Sequence, residues 1–248
     1  MKTVNYNQYV LSDREKKFLA AGLVTGLLFV GNLFFSSILP VLLFPCLWRK
    51  TKDFYREYAG EQRKKVLLLQ YRDLLYELSS SFSSGRHMEE ALYESRDKLK
   101  IIYSEDADIL LETEAMLEGM KQGKTDLQVW EDFSERADID DIREFVMVFR
   151  VCRETGGDFI SVLNRAAGVI GEKIILENEI RTMMIQKENE GLIITVMPFI
   201  LLFFLKITSP SYLSPMYETI TGRMIMVLAL FLTFAAYRII KKIVKVEI

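Results

Sequence analysis

The chain has 248 residues, half of them hydrophobic, with 32 Lys and Arg against 34 Asp and Glu for a formal charge of −2. That balance offers no basic field for nucleic acid, and a single histidine, His87, leaves no His-based metal cluster or catalytic triad to assemble. Cys46 lies in an apolar run and Cys152 in a charged region, which argues against a disulfide and reads as two free thiols.

In chain order, residues 1–17 are polar and charged and form a short cytoplasmic segment. From Phe18 to Trp48 there is no charge. That run exceeds the roughly 20 residues that span a bilayer and is too long for a signal-peptide core. Gly31-Asn32, Ser36-Ser37 and Pro40 predict a turn around residues 31–37, hence a membrane hairpin of two short helices over 18–48. Charge agrees. Lys2, Arg14, Lys16 and Lys17 precede the run, and Arg49, Lys50, Lys52, Arg56, Arg63, Lys64 and Lys65 follow it, so both flanks belong in the cytoplasm. An even number of crossings, or a re-entrant loop, satisfies this.

Residues 49–190 carry most of the charge, and all five prolines lie outside them, at 40, 45, 198, 210 and 215. Such a stretch reads as helical. Val66, Leu69, Leu74, Leu75, Leu78 and Phe82 follow one helical stripe, Ile109, Leu110, Met116 and Leu117 a second, and Phe145, Val148, Phe149 and Cys152 a third. Boundaries are predicted at Ser83-Ser84-Gly85, Ser104, Gly119 to Gly123, Asp138 to Asp141 and Gly156-Gly157. Thr125 with Gln128 forms a capping box, and Ser104 and Asp158 are candidate N-caps. About six helices follow, with short connections that make neighbours antiparallel. The last, from near Asp158, runs unbroken into the membrane, coupling the domain rigidly to the bilayer.

Residues 191–206 form the next crossing, in which Pro198 kinks rather than ends the helix. Residues 207–222, with Pro210, Pro215, Tyr212 and Tyr217, read as an extracytoplasmic loop with interfacial aromatics. Residues 223–240 cross back, and 241–248 form a basic cytoplasmic tail. The fold class is therefore all-α: a membrane protein with a roughly six-helix antiparallel cytoplasmic bundle between two transmembrane hairpins.

Motifs that carry chemistry are weak. Gly119 to Thr125 approximates a phosphate-binding loop, but Glu118 stands where the pattern needs glycine, and an amphipathic helix precedes it instead of a strand; a helix corner is the better reading. His87 reads as a solvent-facing or capping residue. Asp138, Asp140 and Asp141 suit the first turn of a helix, where acids complement the macrodipole. Ser161 and the serines of Ser79 to Ser84 have no base near them in sequence. No cofactor and no catalytic or metal residue is predicted. Inside their charged ends at Lys206, Arg223 and Arg238 the crossings carry no charged residue, which weakens the alternative of a small four-helix transporter or channel component.

Two stretches, LLYELSSSFSSGRHMEEAL (Leu74 to Leu92) and FRVCRETGGDFISVLNRAAGVI (Phe149 to Ile170), resemble the F domain of type II secretion and type IV pilus platform proteins. Their order within the membrane layout is most similar to the TadB- and TadC-like platforms of Flp pili, with Gly85, Ala91, Leu92, Gly156, Gly157 and Leu163 as the matching structural residues. Val129-Trp130 departs from the small residue and leucine frequent in that family. The resemblance implies a non-enzymatic inner-membrane platform, homo- or hetero-oligomeric, working with a second F-domain protein, a cytoplasmic secretion ATPase and pilin subunits in the lipid bilayer. Arg63, Lys64 and Lys65 on a basic face, and Glu118, Asp138, Asp140 and Asp141 on an acidic one, are candidate partner contacts.

Overall fold

The computed structural model describes Tyr6, Leu11 and residues 13–35 and 44–246. Among the described residues there are nine helices and no strand: α1 (Asp13–Phe35), α2 (Phe44–Ser83), α3 (Met88–Ile102), α4 (Asp108–Lys121), α5 (Asp126–Ala137), α6 (Asp140–Thr155), α7 (Phe159–Thr208), α8 (Pro210–Glu218) and α9 (Ile220–Val246). They form two compact units, one of Met1–Val10 with Tyr55–Glu177, the other of Leu11–Phe54 with Asn178–Ile248.

The first unit is the helical domain. Its corners are set locally. Gly85, Gly123 and Gly156 turn the chain at φ of 80°, 91° and 68°, in the left-handed region where a Cβ is penalised. Thr125 and Gln128 close a reciprocal capping box on α5, and Asp158 Oδ1 accepts the amides of Ile160 and Ser161 at 3.1 and 3.2 Å. Ser104 does not cap α4. It opens a turn, accepting the Ala107 amide at 2.9 Å, and Ala107 is the residue that precedes the helix.

Within this unit α3 packs on α4, α4 on α5 and α5 on α6. The core centres on aromatic rings from four helices: Tyr71 (α2), Trp130 and Phe133 (α5), Phe145 and Phe149 (α6) and Phe159 (α7), with the Trp130 and Phe145 centroids 5.1 Å apart. Two stripes depart from the sequence reading at one valine each. On α2 the buried hydrophobic residues are Leu67, Leu68, Tyr71, Leu74, Leu75 and Leu78, while Val66 is 53% exposed. On α6 it is Ile142, Phe145, Val146, Phe149 and Cys152, while Val148 is 50% exposed. The aromatic rings fix which face turns inward, and Val66 and Val148 fall on the opposite one.

The second unit is apolar. Three helices among the described residues are long and apolar enough to cross a membrane: Asp13–Phe34, Phe159–Thr208 and Ile220–Ile240. Helix α7 is one helix of 50 residues that continues through Pro198. The turn expected at 31–37 falls only partly on described residues: Gly31 to Phe35 are helical, and 36–43 lie outside them. Glycine is readily accommodated in apolar helices. Asn32, read as a turn residue, instead accepts the Lys206 ammonium on its carbonyl at 2.5 Å and its Oδ1 at 2.8 Å. Within 207–222 the chain forms α8, with Pro210 at its first position, where a missing N–H costs nothing. The Tyr217 hydroxyl donates to the Leu33 carbonyl at 2.7 Å, and Leu33, Phe34 and Met226 make the buried centre of this unit.

Candidate partner-binding surface

The matching motif residues are the framework of the helical domain. Ala91, Leu92 and Leu163 are fully buried. Gly85 and Gly156 supply the left-handed corners that end α2 and α6. Gly157 passes so close to Cys152 that a Cβ there would stand 3.2 Å from its Sγ. These residues therefore fix how α2, α3, α6 and α7 meet, and they do not converge on a ligand.

The charged candidates are drawn together. Arg63 binds Asp108 through two hydrogen bonds of 2.7 and 2.5 Å. Lys64 reaches the Asp138 carboxylate at 3.1 Å, and Lys65 reaches Glu177 at 3.0 Å. Asp138 closes α5 in the left-handed conformation at φ 48° and also meets Arg143, which pairs with Asp140 too. Asp141 holds Lys173 at 2.7 Å, and that hydrogen bond, with the attraction of Asp141, raises the lysine above the usual amine range. Ion pairs thus tie the basic stretch of α2 to α4, to the α5–α6 corner and to α7, a seam of opposite charges where composition pictured two separate faces. Glu118 stays exposed near the end of α4.

Sequence reasoning missed two further features. One is the nearly buried carboxylate of Glu112, 3% exposed, which takes Arg136 at 2.6 Å and the Tyr6 hydroxyl at 3.1 Å. The other is a cleft of about 270 Å³ between α6 and α7, walled by Phe145, Val148, Val162, Ala166 and Val169 and edged by Glu144 and Arg165. The signal for the cleft lay in the apolar residues left over once the α6 core phase is fixed.

The motifs weighed for chemistry resolve into structure. Gly119 to Thr125 is the α4–α5 corner, where a Cβ on Gly119 would stand 3.0 Å from Val129 Cγ1, and Lys124 is paired with Asp132 at 2.6 Å. Val129 and Trp130, the departure from the family pattern, are both buried in that corner. His87 is solvent-exposed at the start of α3 and makes no capping bond through its side chain. Among the described residues no group of three or more His, Cys, Asp or Glu is placed to hold a metal ion. The side chain of Cys46 lies outside the described residues, and Cys152 is a buried free thiol.

An all-helical domain whose last helix continues as an apolar span, with further apolar helices on either side in sequence, defines a membrane protein built on a helical scaffold. The model of the family "Type II secretion system (T2SS), protein F" matches residues 74–206, more than half of the chain, and the chain belongs to that family. This places it among platform proteins related to type II secretion and type IV pili, and with its apolar helices points to the inner membrane. No curated protein and no solved structure matches the chain.

Proposed function

We propose that the chain is a non-enzymatic, TadB- or TadC-like platform of a type II secretion or Flp/Tad pilus machine, coupling a cytoplasmic secretion ATPase to pilin assembly or protein export. The observation that carries this reading is the extent of the family match, which begins within α2 before the first corner and ends in the apolar part of α7. It therefore includes most of the helical domain and the segment by which the domain continues into the bilayer. In this reading the helical domain and both termini face the cytoplasm, and residues 18–48 form a membrane hairpin. The charge seam of Arg63, Lys64, Lys65, Asp138, Asp140 and Asp141, together with exposed Glu118, meets the partners, which are a second F-domain protein, the ATPase and pilin subunits.

The test is affinity capture of the tagged full chain from native membranes in mild detergent. Recovery of a secretion ATPase and a second F-domain protein is expected, with ATPase recovery reduced several-fold in Glu118→Lys. Capture of neither partner would overturn the reading.

A further inference from the structure

We propose that the groove between α6 and α7 is where two copies of this chain pair about a two-fold axis, with Glu144 of one copy meeting Arg165 of the other. The groove follows from how the two helices are joined. At the corner they share, the Phe149 and Phe159 rings meet at 4.8 Å, and at the far end Asp141 holds Lys173 at 2.7 Å. Between these ties the lining side chains are short, Val148 from α6 and Val162, Ala166 and Val169 from α7, and they leave an open cleft of about 270 Å³. Valine is stiff at χ1, so the walls are set before anything docks and little side-chain freedom is lost on binding. Val148 and Val169 are each at least half exposed, and Met147 and Val151 extend the apolar surface along α6.

The charges select the occupant. A small-molecule site has a few polar groups converging inside it, whereas here the walls are aliphatic and the charges stand at the rim, the pattern of a protein interface. On α6, Asp140, Asp141, Arg143, Arg150 and Arg153 are all paired within the domain. Glu144 and Arg165, exposed on opposite walls of the groove, have no ion-pair or hydrogen-bond partner among the described residues. A partner of one sign would attract one of them and repel the other. An occupant with one acid and one base beside a valine-lined surface is complementary to both, and a second copy supplies that combination. In a two-fold pairing residue i meets j and j meets i, so the contact of Glu144 with Arg165 is made twice. The pairing uses the helical domain alone and does not rest on the platform reading.

The test is made on the full chain in native membranes, in a Cys46→Ala, Cys152→Ala background. Val148→Cys, in the wall of the groove, is expected to give a disulfide-linked dimer on mild oxidation, and Ile101→Cys, 86% exposed on α3, is expected not to. Equal yields from the two would make the dimer a product of random collision and overturn the pairing. Glu144→Arg and Arg165→Glu, each added to Val148→Cys, set like charges against each other and should each lower the dimer yield several-fold. Coexpressed with different tags, the same two variants bring opposite charges together at both contacts, so a mixed dimer should form at close to the parent's yield. Recovery in the mixture also shows that both variants fold. Single variants that crosslink as well as the parent, or that lose the dimer without recovery in the mixture, would overturn the proposal, and a different protein crosslinked to Val148→Cys in their place would take the groove from the second copy. No step reads capture of an ATPase, so the platform reading can fail while the copies still pair, and the reverse.

Discussion

The nearly buried pair of Glu112 and Arg136 allows a quantitative test of how the helical domain is held together. Arg136→Met removes the cation that donates to Glu112 Oε2 at 3.1 and 2.6 Å and leaves a carboxylate that is 3% exposed. Breaking such a pair from one side costs about 3–5 kcal/mol. The Tyr6 hydroxyl still donates to the other oxygen, and the Arg136 side chain is 21% exposed, so water reaches the site; both place the cost near the lower end, about 3 kcal/mol. Glu112→Leu leaves a guanidinium that can turn to solvent and should cost less, about 1–2 kcal/mol. The double variant removes both charges but, like Glu112→Leu, leaves the Tyr6 hydroxyl without its acceptor, and is expected about 1–2 kcal/mol below the parent, a coupling of roughly 3 kcal/mol. Pulse proteolysis of the full chain in detergent across a urea series reads these differences, and the thermal midpoint of Arg136→Met should fall by roughly 10 °C. A loss under about 0.5 kcal/mol for Arg136→Met, or strictly additive singles, would refute the reasoning.

The Tyr71 hydroxyl is buried without a hydrogen-bond partner, so Tyr71→Phe should stabilise the domain by about 1 kcal/mol, and a rise in the urea midpoint checks it. Gly156→Ala forces an L side chain into φ 68° at the end of α6 and should cost about 1–2 kcal/mol in the same assay, whereas Gly60, inside α2 with nothing within 4 Å of an added Cβ, should accept alanine without loss. Stability should hold to about pH 10 and then fall. Burial raises Tyr6 and Tyr103, and the hydrogen bond to Asp141 raises Lys173. Groups whose folded pKa lies above the unfolded value contribute fully below the latter and lose that contribution as pH rises. A thermal midpoint that stays level to pH 11, or a Tyr6→Phe variant that falls as steeply as the parent, would contradict this.

Local chemistry was legible in the sequence, and long-range pairing was not. The glycine corners and the Thr125–Gln128 box depend on residues a few positions apart, so the six helical segments of the domain could be placed from them. Ser104 misled because a cap-forming residue resembles a turn-forming one; here the backbone makes a turn first and α4 starts after Ala107. Val66 and Val148 misled because their runs are apolar on several faces, and only the aromatic cluster selects the phase. Pro210 reads equally as a breaker or as a helix start, and α8 takes the second role. Tyr6 gave no signal at all, since its partner Glu112 is 106 residues away, and the charge seam was hidden likewise by the 74 residues between Lys64 and Asp138.

The seam changes what the basic stretch after the first apolar run can do. In sequence, Arg49 to Lys65 looks like a single juxtamembrane patch for anionic headgroups. In the structure it divides. Arg49, Lys50 and Lys52 belong to the apolar unit, while Arg63, Lys64 and Lys65 are engaged by Asp108, Asp138 and Glu177 in the helical domain. The two halves answer differently to salt. Attraction of exposed lysines to a lipid surface decays within about 8 Å at physiological ionic strength, whereas the part-buried, two-pronged Arg63–Asp108 pair is screened far less. Raising the ionic strength should therefore weaken contact of the first half with the bilayer while leaving Arg63 in place over Tyr6, because the charges that shape the domain are satisfied within it.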